Sequence, residues 1–538
     1  MAMLQRSIPC DKNGVRRMAW MRRLGLLALA AAGLAGAPKP ASAANLTAVL
    51  EAEIVTLDPH FIGAYITRTF GYMVFDTLFA PDSNFNYRPQ MVASHTVSPD
   101  GLTWTFILRD GLLFHDGSPV TSADVVASLQ RWSSRAALGG RLMAVTDSLT
   151  ARDPKTFVLV LKEPYGLVIE TLGTMASPTP FIMPERIART PGTERITEII
   201  GSGPFTYSRA DHRPGDRMLL RRNARYVPRD EPADFLAGGK RVMIDALDIR
   251  VVPDAGTAAS ALQAGEIDYL QDAPFDLLPL FERNRRLTVQ NFTGPQMFTG
   301  HFRLNHVAPP FDDPAIRAVL LRLVDQNEVM QGFGLSATYA RSCAAFFTCG
   351  GPNESTVGVS ALENPSIEAA RTALRATRYN NEPIVLMIAS DLEAAKVSTE
   401  ILADRMRRAG FNVDAQVTDW ATLLARRTRR EGWHAYGVHA LNVDLGSPLT
   451  NSVISFNCQN TGTVGFMCVP RLNELFDAFA RAPSAEARSA IAGEIQGIVY
   501  SQGLAVPWGQ FAQPAAYRAT LRNMIPSAIP LFWNVEKP

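Results

Sequence analysis

Apolar positions along the chain change period in a regular order. Residues 249–252 form a short apolar run, 257–264 read as a helix with Gly265 where a helix stops, and 267–270 return to strand. That pattern predicts a βαβ unit. A second set starts with the apolar run 384–389, after which Val397, Ile401, Leu402 and Met406 share one helical face, Gly410 stops the helix, and Phe411, Val413, Ala415 and Val417 alternate as a strand. Asp419 is placed to cap a further helix that Gly432 ends. Crossovers of this kind build parallel or mixed sheets covered by helices, so two separated sets predict two α/β lobes. Different material lies between them and the N-terminus. Trp104, Phe106 and Leu108 alternate, Asp110-Gly111 and Asp116-Gly117 mark turns, and Thr121 with Asp124 opens a helix whose apolar face is Val125, Val126, Leu129 and Trp132.

The length of 538 residues implies several domains, and a composition of 47% hydrophobic and 19% charged residues excludes wholesale disorder. The net charge of +2 is uneven, because basic residues crowd the first 43 positions and leave a slightly acidic body. Such a body has no general attraction for nucleic acid or anionic lipid, and no nucleic-acid partner is expected. The leader has the parts of a secretory signal: Arg16, Arg17, Arg22 and Arg23, an uncharged stretch 24–37, and the small residues Ala41-Ser42-Ala43. The stretch is shorter than the roughly 17–25 residues of a membrane-spanning helix. A soluble, exported protein starting at Ala44 is expected, by the general-secretory route or, from Arg22-Arg23, the twin-arginine route. No Cys follows the apolar stretch, so no lipid anchor is expected.

Cys10 is lost with the leader, and Cys343, Cys349, Cys458 and Cys468 remain, an even number for an oxidising compartment. Two local disulfides, Cys343–Cys349 and Cys458–Cys468, are the economical pairing. Reaction machinery is absent from the sequence: there is no nucleophile elbow, phosphate loop, dinucleotide fingerprint or His-Glu-x-x-His pair. His301 with His306 and His434 with His439 are spaced five apart, which separates the rings on helix or strand alike, so no metal site is expected. The cluster Arg426, Arg427, Arg429 and Arg430 reads as a solvated helix face.

A series of short motifs is more specific. Thr56-Leu57-Asp58-Pro59-His60 and Phe75-Asp76-Thr77-Leu78 precede Ser98-Pro99-Asp100-Gly101-Leu102-Thr103-Trp104, Leu108-Arg109-Asp110-Gly111, Phe114-His115-Asp116-Gly117 and Thr121-Ser122-Ala123-Asp124-Val125. Gly201-Ser202-Gly203-Pro204-Phe205, Ala264-Gly265-Glu266-Ile267-Asp268, Pro310-Phe311-Asp312-Asp313 and Ala318-Val319-Leu320 follow in order. Over residues 46–538 this order resembles the family 5 extracellular solute-binding proteins of ABC importers, the peptide and oligopeptide binders. The resemblance implies an α/β, two-lobe periplasmic binding protein with mixed sheets, a hinge between the lobes and an extra subdomain in the first lobe. Residues 1–43 would be the signal, 44–293 the first lobe with the subdomain at about 90–200, 294–502 the second lobe, and 503–538 the return. Expected crossings are 293–302 and 503–510.

By the same resemblance Asp444 meets a ligand amino group, although as a bare sequence feature it reads equally well as a turn cap before Pro448. Asn442, Ser447, Asp391 and Trp433 join it as candidate contacts, and Trp433 and Trp508 read either as cleft walls or as core. Dipeptide binders resembling this chain carry an Arg after the strand matching 384–389, whereas Ser390-Asp391 stands here, which favours longer peptides or amine-bearing solutes. The expected function is non-catalytic capture of such a solute, without cofactor, by a monomer that delivers it to an inner-membrane ABC permease. A metal chelate, heme or nickel complex on the same fold, or less readily a secreted hydrolase, are the alternatives. Intact mass measurement of protein taken from its own host should find an N-terminus at Ala44.

Overall fold

The apolar strand Asn45–Val49 lies in the middle of a mixed sheet because both of its neighbours run parallel to it: Ala246–Arg250 on one side and Tyr269–Leu270 on the other. Helix Ala255–Ala264 links those neighbours, with Asp254 accepting from the Thr257 amide at its start and Gly265 in the left-handed conformation (φ 82°) at its end. The predicted βαβ unit is present, and the N-terminal strand is inserted between its two strands. The computed structural model describes residues 45–454 and 464–538. In order, this first sheet runs Phe205–Thr206, Arg217–Arg222, Ala246–Arg250, Asn45–Val49, Tyr269–Leu270, Ala515–Arg518 and Leu287–Gln290, with His212–Arg213 paired to Arg217–Arg222.

The second sheet runs Ala340–Arg341, Ala505–Phe511, Phe298–Leu304, Ala435–Leu441, Pro383–Ala389 and Asn412–Thr418. Its last two strands are parallel and joined by helix Glu393–Ala409, which buries Leu402 and Met406 and stops at Gly410 (φ 106°). Asp419 caps the next helix as expected, accepting from the Thr422 amide, but that helix ends at Arg426, before Gly432. The strand Ala505–Phe511 belongs to this second sheet and Ala515–Arg518 to the first. By sheet membership the chain therefore returns at 512–514, later than the expected 503–510.

A third, antiparallel sheet, Val92–Val97, Thr103–Leu108, Thr156–Leu161 and Thr146–Asp153, contains the alternating Trp104, Phe106 and Leu108. Helix Ser122–Ser133 begins with the reciprocal Thr121–Asp124 capping box and buries Val125, Leu129 and Trp132. Motif carboxylates anchor this region. Asp58 accepts from the Ile196 amide and pairs with buried Arg131, and Asp76 pairs with buried Lys240. Cys343 and Cys349 form the first expected disulfide. Cys468 is disulfide-bonded as well, while Cys458 lies outside the described residues.

Trp508 is core: it is fully buried, stacked on Phe511, and lies over Gly300 of the adjacent strand. A Cβ at Gly300 would sit 1.9 Å from the indole. Gly300→Ala should therefore displace the ring and lower unfolding stability by about 3 kcal/mol, read as a lower urea midpoint with an unchanged slope.

Candidate functional site

Strand Ala435–Leu441 of the second sheet ends in the short helix Asn442–Leu445, which carries Asp444. Facing it is helix Tyr65–Val74 of the first lobe, in which Arg68 is the lone charged residue. Positions 65 and 68 share a helix face. The Tyr65 hydroxyl accepts from the Leu441 amide at 3.0 Å, and Arg68 Nη1 donates to both Asp444 carboxylate oxygens at 3.0 and 3.2 Å. The Arg68 guanidinium lies 4.5 Å from the Tyr65 ring centroid and also donates to the Met175 carbonyl. The side chains of the pair are 1% and 13% exposed, so the bond is shielded from water and joins the two lobes. Arg68 Nε and Nη2 are buried with no hydrogen-bond partner among the described residues.

Two carboxyls stand on the first-lobe side. Glu51 and Asp272 each follow the C-terminal end of one of two adjacent parallel strands, Asn45–Val49 and Tyr269–Leu270, the edge at which open α/β sheets usually hold ligands. The Gln271 side chain accepts from the Glu51 amide at 3.1 Å and its own amide donates to Val49. Burial, then Asp272, pushes Glu51 up to about 8 against an opposing pull from Arg68. Burial pushes Asp272 up to about 7. Burial and then Asp444 raise the Tyr65 phenol well above its ordinary range. The junction thus offers a guanidinium, a paired carboxylate, a phenol and two readily protonated carboxyls.

The other candidate residues use their polar groups on the protein itself. Asn442 is fully buried, accepts from Thr299 Oγ1 and donates to the Gly294 carbonyl, so its amide is committed to the segment between the sheets. Ser447 accepts from the Leu449 amide in a turn. Exposed Asp391 accepts from the Trp420 amide at a helix start. Trp433 is fully buried against Tyr436 and donates its indole N–H to the Arg429 carbonyl. The arginine cluster is not one solvated face. Arg429 and Arg430 are exposed, but Arg426 and Arg427 are half-buried, and Arg427 donates to the Tyr436 hydroxyl at 3.1 Å. Sequence reasoning missed Arg68, Tyr65, Glu51 and Asp272. A single charge within an otherwise buried helix was the available signal for Arg68.

Comparisons with known proteins agree with this architecture. The model of the bacterial extracellular solute-binding proteins, family 5, matches residues 86–463. A probable peptide ABC transporter periplasmic-binding protein of Sinorhizobium fredii is 35% identical over 89% of this chain and 91% of its own length. The glutathione-binding protein of Escherichia coli is 27% identical over 59% of this chain and 60% of its own. Among solved structures, the Helicobacter pylori periplasmic binding protein in complex with the peptide STSA superposes with a TM-score of 0.77 at 17% identity, covering 92% of this chain and 98% of the other. The Agrobacterium tumefaciens protein in complex with agropinic acid gives 0.75 at 20% identity, covering 92% and 99%.

Folding raises the Glu51 and Asp272 pKa values, so from about pH 4 upward the folded state keeps protons that the unfolded chain has released, and stability falls as pH climbs to about 8. The melting temperature should drop between pH 5 and 8.5, and Glu51→Gln should flatten most of that slope, as followed by thermal unfolding across buffers.

Proposed function

Because the chain belongs to the bacterial extracellular solute-binding proteins, family 5, we propose that it captures peptides or related amine-bearing solutes between its lobes and presents them to a membrane permease. Proteins of this family are typically non-enzymatic binders. Its fold is that of the two-lobe periplasmic binding proteins. Among the described residues no helix is long and apolar enough to cross a membrane. The sequence leader supports export to the periplasm, where the relative from Sinorhizobium fredii is named as working.

The observation that carries the reading is the Arg68–Asp444 pair. Asp444 is the residue that resemblance assigns to the ligand amine, and it stands where the lobes meet. Without a solute its charge is held by Arg68, since a carboxylate removed from water needs a cation. A solute ammonium group substitutes for one half of that pair, and Arg68 then faces the Glu51 carboxyl of its own lobe, whose ionisation the guanidinium favours. Closure around the solute excludes water, which strengthens each charged contact, and distinguishes the loaded form for the permease. Ser390-Asp391, standing where dipeptide binders resembling this chain carry an Arg, favours a longer peptide or a cationic or amine-bearing small solute.

Calorimetry against peptides of two to six residues, opines and polyamines tests the reading. A peptide should bind, and Asp444→Asn should weaken it at least 30-fold, as expected when one partner of a buried charge pair is truncated, worth about 2–5 kcal/mol. Unchanged affinity would remove Asp444 from the site, and absence of binding by every peptide would remove the ligand class.

A further inference from the structure

Three segments leave the second sheet at one row of paired residues. Phe298 pairs with Phe511 on one side and with Leu441 on the other. Before Phe298 the chain comes from the first sheet, after Phe511 it returns there, and after Leu441 it enters the helix that carries Asp444. One position inside that row Thr299 pairs with Gln510, and Gln510 with Arg341. Directly opposed residues project from the same sheet face, so these three side chains stand side by side.

A chain of hydrogen bonds runs along them. Arg341 Nε donates to Gln510 Oε1 at 3.0 Å, Gln510 Nε2 to Thr299 Oγ1 at 3.0 Å, Thr299 Oγ1 to Asn442 Oδ1, and Asn442 Nδ2 to the Gly294 carbonyl at 2.8 Å. A guanidinium only donates and a carbonyl only accepts, so the two ends fix the direction, and neither carboxamide can be reversed without losing its bonds. Thr299, Gln510 and Asn442 are each at most 1% exposed, where water does not replace a missing partner. The Asn442 main-chain N–H adds a bond to the Met297 carbonyl at 2.8 Å. Asn442 is thereby tied directly to the first connection between the sheets and, through Thr299 and Gln510, to the strand that leads into the second.

Helix Asn442–Leu445 is a single turn, closed by the Gly446 amide on the Asn442 carbonyl. A lone turn is unstable, because nucleation fixes several dihedrals for one hydrogen bond. Among the described residues no group of the second lobe bonds the Asp444 carboxylate, which meets Arg68 of the first, so the anchors of the turn place it. At the far end Leu445 is fully buried and its carbonyl accepts from Asn451. At the near end the anchor is Asn442.

We infer that Asn442 is a positioning residue for Asp444, and that the chain from Gln510 through Thr299 makes recognition of the solute amine depend on the two connections between the lobes. The inference rests on the assignment of Asp444 to that amine.

Thr299→Val keeps the shape and removes the middle link, whereas Thr299→Ser keeps the hydroxyl. Tri-alanine and its des-amino analogue propionyl-Ala-Ala, titrated calorimetrically, measure the amine contact as a ratio of affinities. That ratio should be at least about 30-fold in the unaltered protein. Thr299→Val should lower it about fivefold or more while the analogue's affinity stays within about twofold, and Thr299→Ser should restore it. Equal weakening of both peptides, which a purely structural role would give, overturns the inference, as does an unchanged ratio. Gln510→Met withdraws the donor to Thr299, should lower the same ratio, and serves where Thr299→Val does not fold. If tri-alanine does not bind, or binds no better than its analogue, the amine assignment fails separately and positioning is read without ligand. Urea midpoints of Arg68→Met, Asp444→Asn and the double variant then give the coupling of that pair as a non-additive shift. Thr299→Val should at least halve this shift and Thr299→Ser preserve it; a shift that Thr299→Val leaves intact overturns the positioning role.

Discussion

A guanidinium almost wholly removed from water loses its hydration, and Arg68 makes up that loss with a carboxylate that belongs to the other lobe. Arg68 rises from a first-lobe helix and closes on Asp444 in the short helix that follows a second-lobe strand. Removing either member strands the other in a low-dielectric space, at a cost of about 3–5 kcal/mol, so each member of the pair requires the other. Tyr65 adds a second tie one helical turn away, accepting from the Leu441 amide while its ring covers the guanidinium. The same pair sets the electrostatics around it. Arg68 draws Glu51 down while burial and Asp272 drive it up, leaving carboxyls at the sheet edge that change charge near neutral pH.

Seen from that bond, the charged groups divide by lobe. First-lobe carboxyls sit where parallel strands end, and the second lobe contributes Asp444 together with a cavity lined by His301, Arg303 and Arg427. Neutral buried histidine beside Arg303 adds a polar group without adding charge.

Much of the scaffold could be read from the chain. The 257–264 helix with its Gly265 stop, the Thr121–Asp124 capping box, and the helix face of Leu402 and Met406 all depend on neighbours within a few residues, and local periodicity reports such neighbours directly. The family motifs proved to be packing devices: Asp58 and Asp76 hold Arg131 and Lys240 in the interior, which explains why they point to fold and not to ligand. Of the groups at the candidate site, the sequence pointed only to Asp444. Asn442, Ser447 and Asp391 carry polar side chains that turns and helix starts use equally well, and which use prevails depends on groups far away in sequence.

The amino-acid order alone determined an alternation of strands and helices, the Cys343–Cys349 bridge and the family, because each rests on period, composition or short spacing. Tertiary structure decided that the N-terminal strand enters a βαβ unit formed 200 residues later, that Trp508 covers Gly300, and that Arg68 meets Asp444 across 376 positions of chain. It also turned one arginine of an apparently solvated run inward to a cavity. Long-range pairs of this kind arise where two lobes and their sheets come together, and no local pattern encodes which buried charge will find which partner.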